Sequence, residues 1–207
     1  MPKSIDPAVV NALGEAVRQL ELCSSAEVAV EIRARSGSYA HADGRVAAAV
    51  AFLGLLALLL SPWTFHTIWV PVDVAGLFGI GLFVARRSDF LRRLVTTDRD
   101  RTARVRVHSA AAFVDRGIAN TRERTGVLVY LSLLEAQIAV VADQGVLAGA
   151  PPLEWNQLVS AAHKDRAADL DTLRRLIDSL APLLGSCLPC RNDDRNELPD
   201  LPRFLQE

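Results

Sequence analysis

Apolar positions recur at helical spacing near the start of the chain. Val10, Leu13, Val17 and Leu20 share one face, and Asp6-Pro7 supplies a capping carboxylate followed by proline in the first turn. This predicts an amphipathic helix. Between Ala26 and Arg35 the period shortens to two. Val28, Val30 and Ile32 alternate with Glu27, Glu31 and Arg33, which predicts a half-buried strand closed by Ser36-Gly37-Ser38. The next pattern is different in kind. Forty consecutive residues, Val46 to Ala85, contain no Lys, Arg or Glu and one Asp.

That stretch is too long for one membrane span and suits two, with the break at Ser61-Pro62-Trp63-Thr64-Phe65-His66. Each half can cross a hydrocarbon core of roughly 30 Å, for which ~17–25 helical residues suffice. The bland alternative is a buried helical hairpin of a soluble core. Arg33, Arg35 and Arg45 precede the first half, arginines from Arg86 to Arg106 follow the second, and the connecting loop has no Lys or Arg. Basic flanks stay in the cytoplasm, so both termini, and with them the globular domain, are expected on the cytoplasmic side of the inner membrane. Trp63 and Trp69 flank the turn, as amphipathic rings at a lipid boundary should. Asp73 lies just inside the second half, either at the interface or as a functional acid.

Beyond Arg87 the chain is polar and helical. Phe90, Leu91, Leu94 and Val95 form an apolar stripe opposed by arginines, which predicts a helix along the headgroups. Arg86, Arg87, Arg92 and Arg93 are the expected headgroup contacts. The segment from Val105 to Arg124 carries Val105, Ala112, Phe113, Ile118 and Ala119 and ends in Thr125-Gly126. Two apolar runs, Gly126–Ser132 and Gln137–Ala142, read as paired central strands ended by Asp143-Gln144-Gly145. Pro151-Pro152 opens a helix with Trp155 and Leu158. Another carries Leu170, Leu173, Leu176, Ile177, Leu180 and Leu183 and is expected to end before Gly185. The tail from Leu188 is rich in Pro, Asn and Asp and is expected to be loose.

Composition adds limits. The chain has 207 residues with a formal net charge of −1, so no nucleic-acid partner is implied. Without the hairpin, about 165 residues remain, enough for a single core. The start, MPKSIDPAVV, lacks the apolar centre of a secretory signal, so the first span is expected to direct insertion. Three cysteines, Cys23, Cys187 and Cys190, form no even disulfide framework and fit a reducing cytoplasm.

Several segments together resemble the TPM family, named for thylakoid-lumen, photosystem II and acetylcholine-receptor-modulator members. They are Ser25-Ala26-Glu27-Val28, Val107-His108-Ser109-Ala110-Ala111-Ala112-Phe113, Gly117-Ile118-Ala119-Asn120-Thr121 and Thr125-Gly126-Val127-Leu128-Val129. The run from Leu131 to Glu135, then Ile138 to Val146 with its Asp143-Gln144-Gly145, is similar to the family's hairpin ending in Asp-x-Gly. Asn196-Glu197-Leu198-Pro199-Asp200 is similar to the end of a bacterial membrane-bound subgroup. The likeness runs from about residue 10 to residue 200, carried by order and spacing rather than by one specific motif. It implies an α/β, Rossmann-like sandwich with a small mixed sheet and no nucleotide fingerprint. In this chain a two-helix transmembrane hairpin interrupts it. The expected division is 1–44 and 87–186 for the TPM-like domain, 45–86 for the hairpin and 187–207 for the tail. The resemblance also implies acid phosphatases, calcium binders or accessory factors of membrane complexes. Many relatives carry a secretory signal and sit outside the cytoplasm, whereas here the spans fall inside the domain.

Asp143 is the leading candidate for a metal ligand, because it ends a strand where open α/β sheets bind ligands. With Glu135 and Asp115 it would offer oxygens to Ca²⁺ or Mg²⁺. The alternative is a plain Asp-x-Gly turn. No catalytic residue is assigned. Asp98-Arg99-Asp100-Arg101-Thr102 matches a phosphatase pattern with a carboxylate nucleophile but lacks the apolar strand that must lead into it. Cys187-Leu188-Pro189-Cys190 has half the ligands of a zinc site and follows a helix rather than opening one. The four histidines show no metal spacing, and Asn192-Asp193-Asp194 lacks the glycine of a calcium loop. Two functions follow: a membrane-anchored binding or accessory module for a membrane protein complex, or a metal-assisted phosphomonoester hydrolase.

Overall fold

The computed structural model describes residues 6–62, 66–165, 168–190 and 196–206. The chain divides into two compact units. One comprises residues 1–37 and 102–207; the other is 38–101. The expected boundaries, 44/45 and 86/87, lie inside the second unit, because its helices extend beyond the apolar stretch at both ends.

The first unit is built on a four-stranded mixed sheet. Its strands are β1 (Glu27–Arg33), β2 (Gly126–Ser132), β3 (Gln137–Ala142) and β4 (Arg203–Leu205), in the order β3-β2-β1-β4. β1 lies parallel to β2, from Glu27 opposite Gly126 to Arg33 opposite Ser132, and parallel to β4. β2 and β3 are antiparallel, from Val127 opposite Ala142 to Ser132 opposite Gln137. A mixed α/β fold with a small mixed sheet is thus present.

Helices cover both faces of the sheet. Val28, Val30 and Ile32 of β1 and Val127, Val129 and Leu131 of β2 meet Leu13, Val17 and Leu20 of α1 (Pro7–Glu21). The same core takes Leu173, Ile177, Leu180 and Leu184 of α8 (Leu170–Cys187), with Trp155 of α7 (Pro152–Lys164) and Val146 of the short α6 (Gln144–Gly149). The other face, Ala29, Leu128, Tyr130 and Ala139, meets Val105, Ala112 and Phe113 of α5 (Asp98–Asp115). Alternation of side chains along each strand supplies both cores. The Asp6 carboxylate caps α1 by accepting from the Ala8 N–H at 2.9 Å, as Asp6-Pro7 leads one to expect.

Four expectations change here. β1 is buried on both faces rather than half-buried, because Glu27 and Glu31 find partners inside. β3 is an edge strand, not a central one. α8 runs through Gly185 to Cys187. The tail contributes β4, with Phe204 packed against the larger core.

The second unit contains α2 (Ala40–Leu60), α3 (Val70–Arg87) and α4 (Asp89–Val95). α2 and α3 pack closely. A Cβ on Gly81 would lie 2.7 Å from the Ala47 Cα, and one on Gly54 would collide with Leu77. Ala47 and Gly54 therefore serve this contact as small residues can, and Ala51 on the same helix is buried. Ala75 and Gly79 are exposed. Only α2, among the described residues, is long and apolar enough to cross a membrane by length and composition. The expected second span differs. It starts as a 3₁₀ turn at Thr67–Trp69, and the 18 residues of α3 include Asp73, Arg86 and Arg87.

Candidate functional site

Polar groups buried in the α/β unit gather at the two opposite ends of the sheet. At the carboxyl ends of the parallel strands β1 and β2, Ser36, Tyr130, Ser132 and Glu135 form one network. The Ser36 N–H donates to Glu135 Oε1 at 2.9 Å. Ser36 Oγ lies 2.8 Å from Tyr130 Oη and donates to Ser132 Oγ at 2.8 Å. Ser132 Oγ in turn donates to Glu135 Oε2. Ser36, Tyr130 and Ser132 have no exposure and Glu135 only 4%.

The local sequence explains the cluster. Tyr130 and Ser132 are two apart on β2 and share a face. Glu135 sits in the turn to β3, which closes through Ala136 in the left-handed region at φ 50°. Burial pushes the Tyr130 phenol up to about 12, with the Ser36 hydroxyl pulling the other way. On the same sheet face, Arg33 donates to Glu31 Oε1 at 2.7 Å and stands over the Tyr130 ring. Arg116 donates to the Val30 carbonyl at 2.9 Å. Burial lowers the Arg116 pKa, opposed by Glu31 and aided by Arg203.

Asp143 lies at the other end. Its N–H donates to the Gly126 carbonyl, where β2 begins. Its carboxylate caps α6 by accepting from the Gln144 N–H at 2.7 Å and accepts from Arg124 Nε and Nη2 at 3.1–3.2 Å. Glu27 is buried nearby on β1 and accepts from the N–H groups of Glu197 and Leu198, both at 3.2 Å.

The proposed oxygen ligands are therefore not brought together. Asp143 and Glu135 stand at opposite ends of the β2–β3 pair, on the order of 20 Å apart at about 3.4 Å per residue. Asp115 ends α5 as an exposed residue. Among the described residues, no group of three or more His, Cys, Asp or Glu side chains is placed to hold a metal ion. Because β3 runs antiparallel to β2, its carboxyl end lies at the amino ends of the parallel strands, away from the usual ligand crevice.

In the second unit, Arg92 is buried rather than at a headgroup surface. It donates to both Asp43 oxygens, at 2.8 and 3.0 Å. Arg86, Arg87 and Arg93 are exposed, as are Phe90 and Leu94 on α4. Trp69 is exposed; Trp63 lies outside the described residues. Asp73, also exposed, borders a cleft of about 590 Å³ between α2 and α3, walled by Gly54, Leu58, Val72 and Leu77.

Sequence reasoning missed Tyr130, Ser132, Ser36, Arg124 and the Asp43–Arg92 pair. The first two carried a signal, polar atoms at alternate positions near the end of an otherwise apolar strand. The ion pair carried none, because its members are far apart in the chain.

No protein-family model matches this chain, and no curated protein does. A solved structure is similar in fold: the NMR structure of the BA42 protein from the psychrophilic bacterium Bizionia argentinensis. It shares 13% identity, covers 99% of this chain and 98% of its own, and superposes with a TM-score of 0.56.

Proposed function

We propose that this chain is a membrane-anchored, TPM-like α/β domain that acts as a binding or accessory module for a membrane protein complex. The observation that carries the anchoring is the surface of α2. Phe52, Leu53, Leu59 and Leu60 are 59%, 63%, 68% and 82% exposed, on a helix whose second half has no charge. Burying such side chains is worth about 1.5–3 kcal/mol each, and its 21 residues span roughly 30 Å.

α3 accompanies α2 because the two are packed at Gly54 and Gly81. It too exposes Val72, Ile80 and Phe83. Its charges sit at its ends, Asp73 in the first turn and Arg86 and Arg87 in the last. Those are the positions the helix dipole favours and an interface tolerates. In this reading both helices cross, the arginines keep both termini in the cytoplasm, and Arg86, Arg87 and Arg93 meet the lipid headgroups of the inner leaflet. Phe90 and Leu94 enter the boundary beside them. A protein of the same membrane is the partner.

The hydrolase implied by the family resemblance needs Asp143 to offer its oxygens to a cation. Those oxygens are engaged by Arg124 and the Gln144 N–H. Washing membranes with alkaline carbonate tests the anchor: the chain should stay in the pellet, and release into the supernatant would contradict it. Recovery of the chain alone from detergent extracts, across growth conditions, would count against the accessory role.

A further inference from the structure

All three cysteines lie at one seam of the α/β unit. Cys23 follows α1, Cys187 ends α8 and Cys190 comes three residues later. Here two short segments run antiparallel, with Ser24 opposite Pro189. The Ser25 N–H donates to the Leu188 carbonyl at 2.9 Å. In an antiparallel pair, the residue before one member faces the residue after the other. Cys23 therefore stands opposite Cys190. Directly opposed residues are about 4.5–5.5 Å apart at Cα, within the roughly 4.4–6.8 Å that a disulfide spans. Gly185 admits Cys23 to the seam: a Cβ there would lie 3.2 Å from the Cys23 carbonyl oxygen. Both Cys23 and Cys190 are exposed.

The sequence offers a competing pair, Cys187 with Cys190. Cys187 belongs to the helix instead. Its Sγ lies 3.7 Å from the Leu184 carbonyl, and burial raises its thiol pKa, which leaves less thiolate for attack.

We propose that Cys23 and Cys190 are an oxidisable pair whose disulfide staples the end of α1 to the segment leading toward β4. A small-molecule disulfide such as oxidised glutathione is the oxidant. The thiolate of one cysteine attacks it, forming a mixed disulfide and expelling one glutathione thiolate. The second cysteine's thiolate attacks the mixed bond and expels the other. The protein gives up two electrons and two protons, and the oxidant leaves as two thiols.

The test is peptide mapping of the full purified chain after incubation with oxidised glutathione. Trypsin places Cys23 in peptide 19–33 and both other cysteines in peptide 176–191. The two peptides should be joined in the wild type and in Cys187→Ser, and separate in Cys23→Ser and Cys190→Ser. Serine is close in size to cysteine, and Cys23 and Cys190 are exposed. A ring confined to peptide 176–191, glutathione adducts without a link, or a link that survives Cys190→Ser would each overturn the proposal.

Discussion

Arg92 places two of its N–H groups on the two oxygens of Asp43, and both side chains are more than nine-tenths buried. Asp89 adds a longer contact at 3.6 Å. This pair fixes α4 to α2. Removing either partner strands a buried charge, which costs about 3–5 kcal/mol. Asp43→Ala and Arg92→Ala should each lower stability by that much in unfolding measurements. Asp43→Leu with Arg92→Met should recover most of the loss. A double variant no more stable than the singles would contradict this.

Glu135 supplies the acceptors for the Ser36 N–H and the Ser132 hydroxyl. Hydrogen bonds to a charged group contribute about 1.5–3 kcal/mol each, and unmet buried donors cost a similar amount. Glu135→Ala should therefore lower stability by roughly 3 kcal/mol or more. Tyr130→Phe, which removes one hydroxyl, should cost only about 1 kcal/mol. Denaturant midpoints at constant slope would check both.

The elements of the α/β unit were largely legible because their cores are periodic. Val10 to Leu20 and Leu170 to Leu183 mark helices, and Gly126–Ser132 and Gln137–Ala142 coincide with β2 and β3. β4 was not legible, since three residues in a Pro-rich tail give no period; only pairing with β1 makes them a strand. Gly185 misled because a glycine in a helix usually marks its end, whereas here it admits the Cys23 backbone. The site was harder. Asp143 stood out through its motif, but which end of the sheet it occupies depends on strand direction. That direction follows from the pairing of β3 with β2, which local sequence does not encode.

Tyr130 titrates late. Its folded pKa of about 12 lies above the ordinary value of 10.0. The stability it contributes is complete below pH 10 and is lost as pH rises through 12. In a Tyr39→Phe background, phenolate absorbance of the folded chain should appear about two pH units later than in the unfolded chain. Coincident curves would place the hydroxyl in water.

Asp143→Ala removes both the cap of α6 and the acceptor for Arg124. The cap accounts for about 1 kcal/mol. Because the Arg124 side chain is 55% exposed, the ion pair adds at most about 1 kcal/mol. Asp143→Asn should keep most of the cap and lose little. Calorimetric binding of Ca²⁺ or Mg²⁺ that disappears in Asp143→Asn would show instead that the carboxylate holds a cation.

The membrane arrangement is best read with single cysteines. In a chain with Cys23, Cys187 and Cys190 changed to serine, His66→Cys marks the turn between α2 and α3, and restoring Cys23 marks the α/β unit. On intact bacterial cells, a membrane-impermeant maleimide should label the His66→Cys chain and spare the Cys23 chain, which becomes reactive only after lysis. Labelling of Cys23 from outside, or protection of the turn until the cells are broken, would contradict a double crossing with the α/β unit inside.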